Sequence, residues 1–263
     1  MLVDIKQLEN IVKPAAQEIL IPGFGKHEYS YKEDGSVITD SDEAMQKRLI
    51  SDLQNNWPEF TILGEEMDEA EQNKAMRHEA GYWCIDPLDG TSNYSVGLPF
   101  FCVSIALIID NKQVLGLIYD PIRDECFTAI KGEGAWLNGN RLSSHGIETD
   151  PKRVVAEIDM KRLPGELAVR LVTDKPYSSQ RNIGSSALDW CWLAADRYNV
   201  YLHGGQKLWD YSAGNLVLHE AGGYSISLDG EPVFRAKNET RSALASLDKK
   251  LFDHWVEWVG VPG

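Results

Sequence analysis

The sequence predicts an α+β protein built in two halves, and three observations predict it. Apolar residues recur at helical spacing over 2–20 and again over 39–57, three β-rich runs follow one another within 101–130, and beyond residue 154 short apolar runs alternate with helical stretches. A weakly patterned stretch, 144–152, separates an N-terminal α+β half (1–146) from a C-terminal α/β half (147–263).

In the first helix Ile5, Leu8, Val12, Ala16 and Ile19 share a face; Pro14 is a kink candidate and Pro22-Gly23 a stop. A loop rich in Gly, Tyr and charge spans 23–35, and Ser36 to Thr39 leads into the second helix. Thr39 followed by Asp42 forms a capping-box pattern, with Met45, Leu49, Leu53 and Trp57 on one face behind it. Residues 60–63 read as a buried strand ending at Gly64-Glu65-Glu66, 67–78 as a solvated loop or helix, and 82–85 as a strand that stops at Asp86. Runs 101–109 and 114–119 are joined by Asp110-Asn111-Lys112-Gln113, a hairpin signal, and 125–130 extends the meander. In the second half the expected order is strand 154–158, helix 165–172, a short strand near Asn182, helix 186–197, strand 200–202, helix 209–221 and strand 224–227. Trp57, Trp190 and Trp192 fit helical core faces.

Asp and Glu number 40 against 26 Lys and Arg, a net charge of −14, and no window is a basic block, which argues against nucleic acid as main partner. Cys84, Cys102, Cys126 and Cys191 lack Cys-x-x-Cys spacing and read as reduced core thiols, in keeping with the cytoplasm and against a zinc site. The start Met-Leu-Val-Asp-Ile-Lys has no signal-peptide pattern, and the longest apolar run, 98–109, is too short for a bilayer, so no membrane association is expected.

The most informative segment is Trp83-Cys-Ile-Asp-Pro-Leu-Asp-Gly-Thr-Ser-Asn93. Asp86 and Asp89 end an apolar run beside Gly90-Thr91, and an acid pair next to free backbone N–H groups suits a divalent cation bridging to phosphate. Glu65 and Asp210 are further acids at element ends. Oxygen ligands without a His/Cys cluster point to Mg2+ or Mn2+.

Residues 85–94 with Gly97-Leu98-Pro99-Phe100, Gly64-Glu65-Glu66, Gly132 to Gly139, Trp209 to Gly214 and Glu220-Ala221-Gly222-Gly223 together resemble the signatures of the inositol monophosphatase family. The resemblance implies an α/β/α/β/α layered sandwich and a Mg2+-dependent phosphomonoesterase, commonly dimeric and often lithium-sensitive, hydrolysing its ester with a metal-activated water. It implies two or three ions per site. Glu65 would bind the first and third, Asp86 bridge the first two, the Leu88 carbonyl complete the first site, and Asp89 and Asp210 hold the second and border the substrate. Glu66 would act from behind them. Gly90 and Thr91 would hold the phosphate, and Thr91 with Asp42 would orient and deprotonate the water.

Inositol-specific members carry a Glu seven residues before the late metal Asp, where this chain has His203. A neutral imidazole can hydrogen-bond a substrate hydroxyl with one acceptor and no charge, which makes His203 a substrate-binding candidate but leaves the inositol ring unassured; the alternative is a solvent-facing ring beside Gly204-Gly205, and Ser185 or Ser186 is expected to touch the leaving group. Ser92-Asn93-Tyr94 resembles the branch acting on inositol and sugar phosphates. The expected reaction is hydrolysis of inositol 1-phosphate or a related polyol or sugar phosphate by a homodimer. The alternatives are a 3′(2′),5′-bisphosphate nucleotidase and a regulatory protein-binding role on the same fold.

Overall fold

The computed structural model describes residues 3–26, 29–32, 35–143, 150 and 153–262. Helix α1 (Ile5–Gly23) is capped by Asp4, whose side chain accepts the Lys6 N–H, and it runs through both Pro14 and Pro22. Helix α2 (Asp40–Asn56) starts at the expected box: the Thr39 N–H and hydroxyl both donate to Asp42 Oδ2, at 2.8 and 2.5 Å. Two short antiparallel strands, β1 (Ser30–Tyr31) and β2 (Val37–Ile38), precede it where the sequence suggests only loop and a lead-in.

Seven strands form the first sheet in chain order: β3 (Thr61–Gly64), β4 (Tyr82–Asp89), β5 (Cys102–Ile109), β6 (Lys112–Asp120), β7 (Glu125–Ile130), β8 (Gly134–Leu137) and β9 (Asn140–Arg141). Among the described residues of this sheet only β3 and β4 are parallel, joined through α3 (Glu69–Ala75). Helix α3 is not simply solvated, since Gln72 and Ala75 are buried. The β5–β6 hairpin turns on Asp110 and Asn111, both left-handed at φ 50° and 57°, the conformation that Asn and Asp tolerate. Helix α4 (Thr91–Val96) follows β4.

The second sheet has the order β11 (Ser179–Arg181), β10 (Val155–Asp159), β12 (Val200–Gln206), β14 (Arg241–Ser246), β13 (Tyr224–Ile226). The first three are mutually parallel, as the strand–helix alternation suggests. Strand β14 is antiparallel to both its neighbours, which makes the sheet mixed. Helices α5 (Gly165–Thr173), α6 (Ser186–Ala194) and α7 (Leu208–Glu220) complete the alternation; β14 and α8 (Lys249–Val259) lie beyond residue 227, where the sequence suggested no element.

Period-two alternation sorts the strands into layers. Trp83, Ile85, Val103, Ile105 and Leu107 face α1 and α2, whereas Tyr82, Cys84, Cys102, Ala106 and Ile108 face inward onto α6 and α7. Tyr201, Ala243 and Ala245 of the second sheet join that inner core, while Val200, Leu202 and Leu244 face α5 and α8. The result is an α/β/α/β/α sandwich whose middle layer is the pair α6–α7. The sheets draw on residues 61–141 and 155–246, and residues 144–149, 151 and 152 of the expected boundary lie outside the described residues. Among the described residues no helix is long and apolar enough to cross a membrane. All four cysteines are free and buried.

The middle layer is tight. A Cβ on Gly214 of α7 would stand 2.4 Å from the Trp190 Cβ of α6, and one on Gly116 of β6 would stand 2.9 Å from the Ala213 carbonyl. Gly214→Ala is therefore expected to cost about 1–3 kcal/mol, as overpacking does, read as a lowered melting temperature.

Candidate active site

The inward face of β4 makes the site. Alternation from Tyr82 and Cys84 places Asp86 on that face. Between Asp86 and Asp89 the register against β5 slips: Asp86 faces Ser104 and Asp89 faces Cys102, so three steps on β4 match two on β5. That bulge returns Asp89 to the same face. Pro87 lies within it, where its missing N–H breaks no regular ladder bond. The strand therefore does not stop at Asp86 as the sequence suggested; it continues to Asp89 through an irregularity.

Across the gap, Asp210 lies in the first turn of α7, its Oδ2 accepting the Lys207 N–H at 2.8 Å. The Ser104 hydroxyl donates to the Trp209 carbonyl and fastens this turn to β5. Oxygens of Asp86, Asp89 and Asp210 lie within 4.8 Å of one another. Burial and mutual repulsion, with Glu65 contributing, drive the Asp86 and Asp210 carboxyls well above the usual range. Asp89 is pushed up to about 6, because burial outweighs donation from the Ser185 hydroxyl at 2.6 Å and the Ala187 N–H at 2.8 Å. Ser186 contributes a further backbone hydrogen bond to Asp89. Two buried carboxylates and a half-buried third this close repel one another unless a cation lies between them, so the donor set fits a hard divalent ion.

Glu65 follows β3 beside Asp86, its N–H donating to the Ile85 carbonyl, as parallel pairing requires. It stands outside the three-acid group, and Lys32 bridges Glu65 and Glu66 at 2.8 and 2.7 Å. Burial and the Glu65 charge push Glu66 up to about 7 despite Lys32. Lys32 was missed by sequence reasoning, since a lysine in a loop rich in Gly and charge carries no periodic signal. Gln46, also missed, accepts the Glu66 N–H from α2.

The Leu88 carbonyl and Asp42 Oδ1 each lie 2.9 Å from the Thr91 hydroxyl oxygen. One hydroxyl proton serves both, so an ionised Asp42 accepts it, whereas a protonated Asp42 donates its own and frees Thr91 to bond Leu88. Burial pushes Asp42 up to about 6 against the hydrogen bonds from Thr39 and Thr91. Gly90, left-handed at φ 92°, caps α4 and lies against the Phe100 carbonyl and Ser185, leaving no room for a side chain.

His203 is buried in β12, and both ring nitrogens are engaged. The Gly205 N–H donates to Nδ1 at 3.0 Å, which places the proton on Nε2, 3.1 Å from Asp159 Oδ2. The ring stands close to Tyr201 and presents no free nitrogen to a ligand. Asp159, at the end of β10, was overlooked, although it is an acid closing an apolar run like Asp86. Trp57 and Trp190 are buried as expected. Trp192 is instead half-buried, stacked under Arg123 and Arg197 in a surface cavity.

Fold and site together define a two-sheet sandwich with a largely buried carboxylate cluster at a helix start, whose donor set fits a divalent cation. The sequence profile of the inositol monophosphatase family matches residues 4–257. The Nus factor SuhB of Haemophilus influenzae is 36% identical over 211 residues, 76% of each chain. Inositol monophosphatase 1 of Solanum lycopersicum is 35% identical over 249 residues, 92% of this chain and 89% of that one. The crystal structure of extragenic suppressor protein suhB from Bartonella henselae superposes with a TM-score of 0.84 at 29% identity, over 97% of both chains. The chain belongs to the inositol monophosphatase family.

Proposed function

We propose that the chain hydrolyses small phosphate monoesters, inositol 1-phosphate or a related polyol or sugar phosphate, with Mg2+ or Mn2+. The reading rests on the three-acid group of Asp86, Asp89 and Asp210 beside the Gly90-Thr91 helix start. Asp86, Asp89, Asp210, Glu65 and the Leu88 carbonyl would hold two or three ions, which when bound neutralise the phosphate and activate water. Asp89 and Asp210 would also border the substrate.

The chain's own groups supply the rest. Backbone N–H groups at Gly90 and Thr91 orient the phosphate. Thr91 positions the water and passes its proton to Asp42, whose carboxyl near 6 suits a base at neutral pH. Glu66 tunes this pair through its charge, and Ser185, fully buried, holds Asp89 rather than meeting the leaving group, which leaves that contact to the half-buried Ser186. Thr91→Val is expected to lower kcat by about a hundredfold or more with little change in KM, read by initial rates of phosphate release.

The deciding experiment compares inositol 1-phosphate with 3′-phosphoadenosine 5′-phosphate by kcat/KM, with Mg2+ and with excess EDTA. Full activity in EDTA would overturn the metal mechanism, and preference for the nucleotide would favour the nucleotidase. On this reading the protein acts in the cytoplasm as a homodimer, in keeping with its four free thiols. A regulatory role through a protein or nucleic-acid partner is the second reading, favoured by the name Nus factor that relatives carry and opposed, for nucleic acid, by the charge of −14. Inertness toward a broad ester panel with Mg2+ would favour it.

A further inference from the structure

One buried acid of the second sheet stands apart from the three-acid group, yet its contacts lead to Asp89. Strand β10 alternates: Ala156 and Ile158 join the outer core, so Glu157 faces inward, level with Tyr201 on β12. Glu157 is fully buried. Its Oε1 accepts the Ile183 N–H at 3.0 Å, while Oε2 has no hydrogen-bond partner among the described residues. Burial pushes the carboxyl up to about 7 against that hydrogen bond. A carboxyl here costs more than the apolar residue an inward strand position ordinarily carries, and what it gains is the Ile183 N–H.

That N–H lies just beyond the sheet. The β10–β11 ladder ends at the Glu157–Arg181 pair, so Ile183 has no strand partner in it. The Ile183 carbonyl is held from the other side: the Asn93 side-chain amide of α4 donates to it at 2.8 Å and to the Phe100 carbonyl at 2.9 Å. Ile183 is thereby fastened at both backbone groups, by the second sheet and by the helix that begins after Gly90. Gly184, left-handed at φ 80°, turns the chain towards α6, and the next residues grip Asp89 Oδ2 through the Ser185 hydroxyl at 2.6 Å and the Ala187 N–H at 2.8 Å.

We propose that Glu157 is a positioning residue for the metal centre: by holding the Ile183 N–H it fixes residues 183–187, which in turn set the place of Asp89 among the three acids. This deepens the cation reading of Asp86, Asp89 and Asp210 and rests on it. The consequence is that a side chain of the second sheet, outside the acid group, governs how tightly the first sheet's acids take a divalent ion.

Mg2+ affinity measured by isothermal titration calorimetry, without substrate, tests this. Removing a group bonded directly to a metal ligand lowers affinity by about ten- to a hundredfold; Glu157 acts through a peptide one step further out, so Glu157→Met is expected to raise the Mg2+ Kd by about fivefold. Glu157→Gln should stay within about twofold of wild type, because its amide oxygen still accepts the Ile183 N–H and it is neutral like the protonated acid. In a Ser185→Ala background the effect of Glu157→Met should shrink, since part of it passes through Ser185. Phosphate release by Glu157→Met should recover at high Mg2+, with the KM for the ester little changed. If Glu157→Met gives no cooperative melt, Glu157→Asp, which withdraws the acceptor by one methylene, takes its place in each comparison. Equal Mg2+ affinity in wild type and Glu157→Met, even with a lowered melting temperature, would overturn the assignment, as would equal losses in Glu157→Met and Glu157→Gln or full additivity with Ser185→Ala. Affinities that split as expected while no ester is hydrolysed would support it and sink the phosphatase reading alone.

Discussion

Asp86→Asn is expected to abolish Mg2+-dependent phosphate release, by about a thousandfold or more, and at the same time to raise the melting temperature in EDTA. The two effects share one cause. Asp86 is buried with Glu65, Asp89 and Asp210 as its charged neighbours, and unit charges ~4 Å apart repel by about 4 kcal/mol at an effective dielectric near 20. Partial protonation already relieves much of that. A net gain of about 1–2 kcal/mol, or roughly 3–6 °C for a chain of this size, is the expected residue. The asparagine keeps an oxygen for the Leu88 N–H, so the bulge survives. Stabilisation by Mg2+ should be lost in the variant. An unchanged Mg2+ response measured by differential scanning fluorimetry would show that the ion does not depend on Asp86.

Without metal, stability should fall as pH rises through the range where the site titrates. Asp42 and Asp89 are pushed up to about 6 and Glu66 to about 7, whereas the unfolded chain titrates its carboxyls near 4. Between those values the folded state binds more protons than the unfolded one, so the free energy of unfolding declines with pH. A shift of about two pH units in one such group corresponds to about 3 kcal/mol. Melting in EDTA should therefore be highest near pH 4–5 and drop towards pH 7.5, and saturating Mg2+ should remove most of the drop. Asp229 works in the opposite sense: Arg241 holds it down to about 2, so its contribution is present above pH 4 and lost only in strong acid. A flat or rising profile in EDTA would refute the clustered acids.

The sequence made the fold class legible, and with it the clustering of three acids, but not the local devices that bring them together. Asp86 and Asp89 were legible because acids closing an apolar run are costly unless something pairs with them, Asp210 because it is an acid at a helix start, and the Thr39–Asp42 box because capping is local. The bulge was not, since strand pairing is needed to reveal that β4 resumes after Pro87. Lys32 reaches Glu65 from a loop 33 residues away in sequence, and only tertiary closure brings them together. His203 is neither a substrate contact nor a solvent-facing ring, because its burial against Asp159 depends on β10 lying beside β12, a pairing that local pattern does not encode. Strand β14 was missed although it pairs with two neighbours, because its alternation of small residues, Arg241-Ser-Ala-Leu-Ala-Ser246, carries little hydrophobic contrast.

The bonds that shape the site also join distant parts of the chain. The Asp89 carboxylate takes the Ser185 hydroxyl and the Ala187 N–H, 96 and 98 residues along, and the Ser104 hydroxyl reaches the Trp209 carbonyl, 105 residues along. Closing loops of that length carries a chain-entropy cost that grows only with the logarithm of loop size, so the two long closures cost little more than short ones. Their timing is the larger consequence. The three acids converge only once the first sheet and α7 have met, so the site forms across the two halves rather than within either, and each half on its own would carry only part of the ligand set.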